Sequence, residues 1–98
     1  MIIDFSESAL NDLDKFNKKD IEFIIKKLEY FAANYDILKN SKNVTAIVNH
    51  SGFYRYVIKK DLRAIYTIKN NKIEILILRI SFRKNAYDDL DILWLFNY

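Results

Sequence analysis

Three apolar runs crowd the second half of the chain, at 53–59, 62–69 and 72–82, separated by only two residues each time: Lys60-Asp61 and then Asn70-Asn71. The runs are rich in β-branched and aromatic residues, which favour strands, and asparagine tolerates the positive φ of a tight turn. The pattern predicts a three-stranded antiparallel meander. Little else can be built from such a segment, because two-residue connections leave no room for a crossover.

Side chains alternate faces along a strand. In the first run Tyr54, Tyr56 and Ile58 share one face, and Arg55, Val57 and Lys59 the other. In the second, Leu62, Ala64, Tyr66 and Ile68 oppose Arg63, Ile65 and Thr67. In the third, strict alternation sets Leu78, Ile80 and Phe82 against Arg79, Ser81 and Arg83. The consistent assembly packs the Tyr/Leu/Ile faces on helices and gathers the arginines opposite. Guanidiniums fixed on a sheet are preorganised for phosphate oxygens. The same arrangement also describes solvated charges on the wet face of an antiparallel sheet, so the alternation alone leaves both readings open.

The material to cover that sheet precedes it. Ile2-Ile3-Asp4-Phe5 reads as a short strand, and Ser6 followed by Glu7 as a helix start. Ala9, Leu10, Leu13 and Phe16 then recur at helical spacing. Asn17 caps a second helix, with Asp20 three residues on, whose stripe is Ile21, Ile24, Ile25, Leu28, Phe31, Ala32 and Tyr35. Residues 36–43 either extend that helix or form a loop. Residues 44–48 are a short extended piece, and the turn 49–52 holds the single glycine, where positive φ is expected. After the meander, Tyr87, Leu90, Leu93, Trp94 and Phe96 predict a short terminal helix or apolar tail. The whole is an α+β fold in one domain, 1–98: an N-terminal strand, a two-helix hairpin, an antiparallel meander and a C-terminal helix or tail.

Composition narrows the chemistry. With 51% hydrophobic and 15% aromatic residues the chain has the material for a core, which argues against disorder. There is no cysteine and one histidine, His50, which argues against disulfides, thiolate metal sites and histidine-based catalytic pairs. No cofactor or metal is expected. No apolar run reaches the ~20 residues of a membrane span, the amino terminus lacks a signal-peptide pattern, and the expected location is the cytoplasm. The net charge of +3 is unevenly spread: between residues 38 and 87 only Asp61 and Glu74 stand against many lysines and arginines. The positive field belongs to the meander and its preceding loop, and a basic domain carries some prior for a nucleic-acid partner.

Three segments in this order, after a helical hairpin, carry a family resemblance: Phe53-Tyr54-Arg55; Asp61-Leu62-Arg63-Ala64-Ile65-Tyr66; and Ile77-Leu78-Arg79-Ile80-Ser81-Phe82-Arg83, with Tyr87 four residues on. The chain resembles the RelE/ParE superfamily of toxins from toxin–antitoxin pairs, from Ile2 to about Tyr87. The resemblance to its RelE branch implies a metal-independent endoribonuclease that cuts messenger RNA in the ribosomal A site and is restrained by a cognate antitoxin. It implies catalytic roles for Arg55, Arg63, Arg83 and Tyr87, with Lys59 as a candidate base, and RNA contacts from Lys60, Arg79 and Lys84. The chain departs from the RelE pattern at Val57, where relatives carry a second basic residue, at Ser81-Phe82, where a Gly-His pair is common, and at Lys60-Asp61, which replaces a usual glycine. Lys60 and His50 are further candidates for the base. The alternatives implied are a ParE-like toxin that inhibits DNA gyrase, whose branch usually lacks the Arg-x-x-x-Tyr ending, or a degenerate toxin that only binds its antitoxin.

Overall fold

The structure is a computed structural model and describes residues 1–69, 71 and 73–82. The expectations for Arg83, Lys84, Tyr87 and the apolar residues 90–96 fall outside the described residues. The meander forms as its sequence dictates: β3 (Phe53–Lys59), β4 (Leu62–Lys69) and β5 (Glu74–Phe82) are antiparallel neighbours. Lys60 and Asn71 take positive φ, +41° and +58°, at the two connections. β2 (Val44–Ala46) adds antiparallel to β3, and β1 (Ile2–Phe5) adds parallel to β5, giving the order β1-β5-β4-β3-β2. The turn between β2 and β3 passes through Asn49 at +65° and Gly52 at +88°, and the latter is a backbone conformation suited to glycine.

Helices α1 (Glu7–Leu13) and α2 (Lys18–Ala33) cover one face of the sheet. Both start where the sequence places a cap. Ser6 Oγ accepts from Ala9 N at 3.1 Å, and Asn17 Oδ1 accepts from Asp20 N at 2.8 Å. α2 stops at Ala33, and residues beyond Asn34 form only a short turn of helix, α3 (Tyr35–Leu38). The α2 stripe of Ile24, Leu28, Phe31 and Ala32 is buried against Tyr56, Ile58, Leu62, Ala64, Tyr66, Ile75, Ile77 and Ile80.

Aromatic rings fill the middle of this core. Phe31 stacks on Tyr56 at 3.9 Å between centroids and meets Tyr66 edge-on at 5.4 Å. The one polar group of fully buried Tyr66 is answered by Tyr35, hydroxyl to hydroxyl at 3.1 Å.

The other face is partly apolar, and it holds Ile65 as alternation assigns but also Leu78, which alternation sets on the helix side. Ile47, Ile65, Leu76 and Leu78 are buried there, with Phe53 packed on them. Leu78 therefore lies opposite Ile80, not beside it. The cause is a register shift between Ile65 and Tyr66: Tyr66 pairs with Ile77 but Ile65 with Arg79, so Leu78 is an extra residue. Strict period-two reading fails at a β-bulge, because one inserted residue inverts every later side chain.

Candidate functional site

Beyond that apolar cluster the helix-free face becomes basic. Arg55 pairs across the strands with Ile65, and Arg63 pairs with Val57 on β3 and Ser81 on β5. Arg55 and Arg63 are thus diagonal neighbours on adjacent strands, a separation of roughly 7–8 Å between backbones that long side chains can close. Both are half-buried, with their Nε atoms and Ser81 Oγ shielded from water. Ser81 Oγ has no hydrogen-bond partner among the described residues. Two guanidiniums are held by a central strand and its neighbour, with a hydroxyl across from one of them, and planar forks of this kind match the oxygens of a phosphate group. Partial burial strengthens their electrostatic action relative to an exposed charge.

Two of the sequence-predicted cations are elsewhere. Lys59 does not share the arginine face: the β3 register slips between Val57 and Lys59, Lys59 pairs with Leu62, and its Nζ stands 4.9 Å from the Phe23 ring centroid of α2, on the helix side. Arg79 turns to Asp12 of α1, donating from Nε to Oδ2 at 2.8 Å and from Nη2 to Oδ1 at 3.0 Å. A bulge moves Lys59 off the face that alternation assigns to it, whereas Arg79 keeps its register across from Ile65 and its guanidinium is taken up by Asp12 at the sheet edge. Lys60 is exposed in the turn after β3, and Val57 stands directly across from Arg63. His50 lies in the loop from Ile47 to Phe53, by the apolar end of the face.

Asp12 is the residue that reading the sequence for charge alone passes over. Only 4% exposed, it also accepts from Ile80 N at 2.9 Å. Its signal is positional: it falls inside the α1 stripe of Ala9, Leu13 and Phe16, where a carboxylate is out of place unless paired. Beside it, a cleft of about 430 Å³ opens between the α1–α2 junction and the end of β5, bordered by Phe16, Asn17, Asp20, Ser81 and Phe82. Phe16 and Phe82 meet there at 5.9 Å. Among the described residues no group of three His, Cys, Asp or Glu is placed to hold a metal ion, and no helix is long and apolar enough to cross a membrane.

Comparison with known proteins gives a family and a fold. The family described as ParE toxin of type II toxin–antitoxin system, parDE, matches residues 3–87. No curated protein matches the sequence. Among solved structures, the chain is similar to the RelBE toxin–antitoxin complex of E. coli, with 20% identity, 83% of this chain and 94% of that one covered, and a TM-score of 0.61. It is similar to the archaeal RelE–RelB complex from Pyrococcus horikoshii, with 17% identity, coverage of 87% and 97%, and a TM-score of 0.63. The YoeB dimer from Staphylococcus aureus matches at 22% identity, coverage of 84% and 95%, and a TM-score of 0.63. At these identities the similarity is one of fold.

Proposed function

The chain belongs to the ParE toxin family of type II toxin–antitoxin systems, within the RelE/ParE superfamily, and from that premise we propose that it is a ribosome-dependent messenger-RNA endonuclease. The observation that carries this reading is the placement of Arg55 and Arg63 as diagonal neighbours on a rigid sheet face. Two half-buried guanidiniums on neighbouring strands suit the phosphates of a nucleic acid, whose oxygens their planar forks match.

The chemistry suits the residues. In metal-free RNA cleavage the ribose 2′-oxygen attacks the adjacent phosphorus and gives up its proton to a base. The 5′-oxygen departs and takes a proton, leaving a 2′,3′-cyclic phosphate. Negative charge grows on the non-bridging oxygens, where Arg55 and Arg63 would stabilise it. We assign Arg83 to the leaving 5′-oxygen and Tyr87 to stacking on a base or orienting the 2′-hydroxyl. Lys60 and Lys84 add sequence-independent attraction for the RNA backbone. Arg79 is held by Asp12 and is not assigned to the RNA. With Val57 across from Arg63 and Lys59 on the other side of the sheet, the proton acceptor is to be sought in Lys60, His50, Tyr87 or a group of the ribosome. Such an enzyme depends on the ribosome to hold its substrate in line.

The partner that restrains it would be a cognate antitoxin, as the RelE relatives of similar fold are found in complexes with RelB. Its place of action is the cytoplasm, where message is translated. The deciding experiment is induced expression followed by mapping of message 5′ ends. Cuts inside translated codons with a rapid stop in protein synthesis are expected. The family match favours one second reading, gyrase inhibition. DNA damage with intact messages would establish that reading and displace the first.

A further inference from the structure

The ion pair between Asp12 and Arg79 sits at a bulge, and helix α1 brackets that bulge from both sides. β1 pairs with β5 only as far as Phe5 and Ile77. From there on, α1 replaces β1 along the edge. Ser6 N donates to Ile77 O and Ser6 Oγ to Leu78 O, both at 2.9 Å. One turn and a half later Asp12 takes Ile80 N and both Arg79 donors. Lys15 Nζ, at 3.9 Å, is too exposed to add much.

An edge amide could be satisfied by water or by a neutral side chain. A carboxylate 4% exposed is a costlier choice, tolerable only because a guanidinium and a backbone amide answer it together. What this arrangement secures is the phase of the strand. Ile75 and Ile77 face the helices. Without the extra Leu78, Arg79 and Ser81 would follow them into the core. With it, Ile80 enters the core, Phe82 reaches Phe16, and Ser81 stands across from Arg63.

We propose that Asp12 is a positioning residue of the phosphate cradle. It pins the β5 bulge through Arg79 and the Ile80 amide, and so keeps Ser81 and the strand end alongside Arg63. It touches no substrate. The inference deepens the ribonuclease reading and rests on it for its activity readout alone.

Asp12→Asn keeps the side chain's shape but turns a donor toward Arg79. Arg79→Lys keeps the counter-charge but loses the fork, and serves if Asp12→Asn does not fold. In single-turnover cleavage on programmed ribosomes, Asp12→Asn should lower the rate constant at saturation by roughly 10-fold or more, within the ~10²-fold that a 1 Å misplacement can cost. The half-saturating ribosome concentration should not move, and Arg79→Lys should fall between Asp12→Asn and wild type. A wild-type rate constant in either folded variant would overturn the proposal. If the wild-type protein leaves message intact, the ribonuclease reading fails by itself. The positioning role is then decided by ¹⁵N NMR of the free protein. The Ser81 amide and the Arg63 Nε resonance should shift in the variants, while the Ile24 and Leu28 amides stay in place. Unmoved Ser81 and Arg63 signals, or a change spread evenly through the core, would make Asp12 a general stabiliser and end the proposal.

Discussion

The ammonium of Lys59 lies 4.9 Å from the centroid of the Phe23 ring. The contact ties the end of β3 to the outer side of α2, and it places the sheet between this lysine and the face of Arg55 and Arg63. A base on that face would have to come from another residue.

Lys59→Ala should therefore leave single-turnover cleavage on programmed ribosomes unchanged. It should cost about 0.5–1 kcal/mol of stability in urea unfolding, the size of an exposed cation–π contact. Val57→Lys, directly across from Arg63, should raise the cleavage rate. A slow Lys59→Ala with a silent Val57→Lys would return the base to Lys59.

Arg55→Ala and Arg63→Ala should each lose on the order of 2.7–4 kcal/mol of transition-state stabilisation, as when one preorganised donor is removed from an oxyanion site. The double variant should lose less than the sum, because diagonal neighbours on one phosphate act as a unit. Both single variants should keep the wild-type circular dichroism spectrum. Single-turnover rates on programmed ribosomes test the first two statements.

The Tyr35–Tyr66 hydroxyl pair should prove asymmetric. Tyr35→Phe strands a hydroxyl inside the core, at a cost of about 1–3 kcal/mol, whereas Tyr66→Phe leaves half-buried Tyr35 able to reach water and should cost nearer 1 kcal/mol. Denaturant midpoints of the two variants decide it.

Burial pushes the hydroxyls of Tyr66, Tyr56 and Tyr35 above the ordinary tyrosine value of 10.0. Above that pH the unfolded chain loses protons that the folded chain keeps. The unfolded state then binds fewer protons, so stability present below pH 10 falls as pH rises past it. Unfolding followed from pH 8 to 11 should show the decline, and Tyr66→Phe should flatten it.

Ser6→Ala should cost about 1–2 kcal/mol, since the hydroxyl caps α1 and also holds the Leu78 carbonyl. A loss no larger than that of Asn17→Ala, whose side chain caps α2 alone, would show that the Leu78 contact contributes nothing.

Much of this architecture is legible before any coordinates. Periodicity finds the α2 stripe, Ser6 and Asn17 mark the helix starts, and the two-residue spacers fix the meander because local rules govern all of them. Arg55 and Arg63 follow from alternation within regular stretches of strand. Lys59 and Leu78 escape that reading since each adjoins a bulge, and a bulge is set by what the neighbouring strand and helix require; for Arg79 it is the partner that escapes, a carboxylate on α1. Asp12 shows that the requirement can lie 67 residues away, beyond the reach of any local pattern.

The parallel pairing of β1 with β5 has a consequence for how the molecule comes into being. β1 finds its partner only in the last strand described, Ile2 to Glu74 and Phe5 to Ile77. Contacts of such long sequence separation form late and slowly. On an emerging chain β1 and α1 must wait with apolar surface uncovered, and the bulge that α1 brackets does not yet exist. The placement of Ser81 beside Arg63 would therefore come late, only once β5 has left the ribosome that makes it.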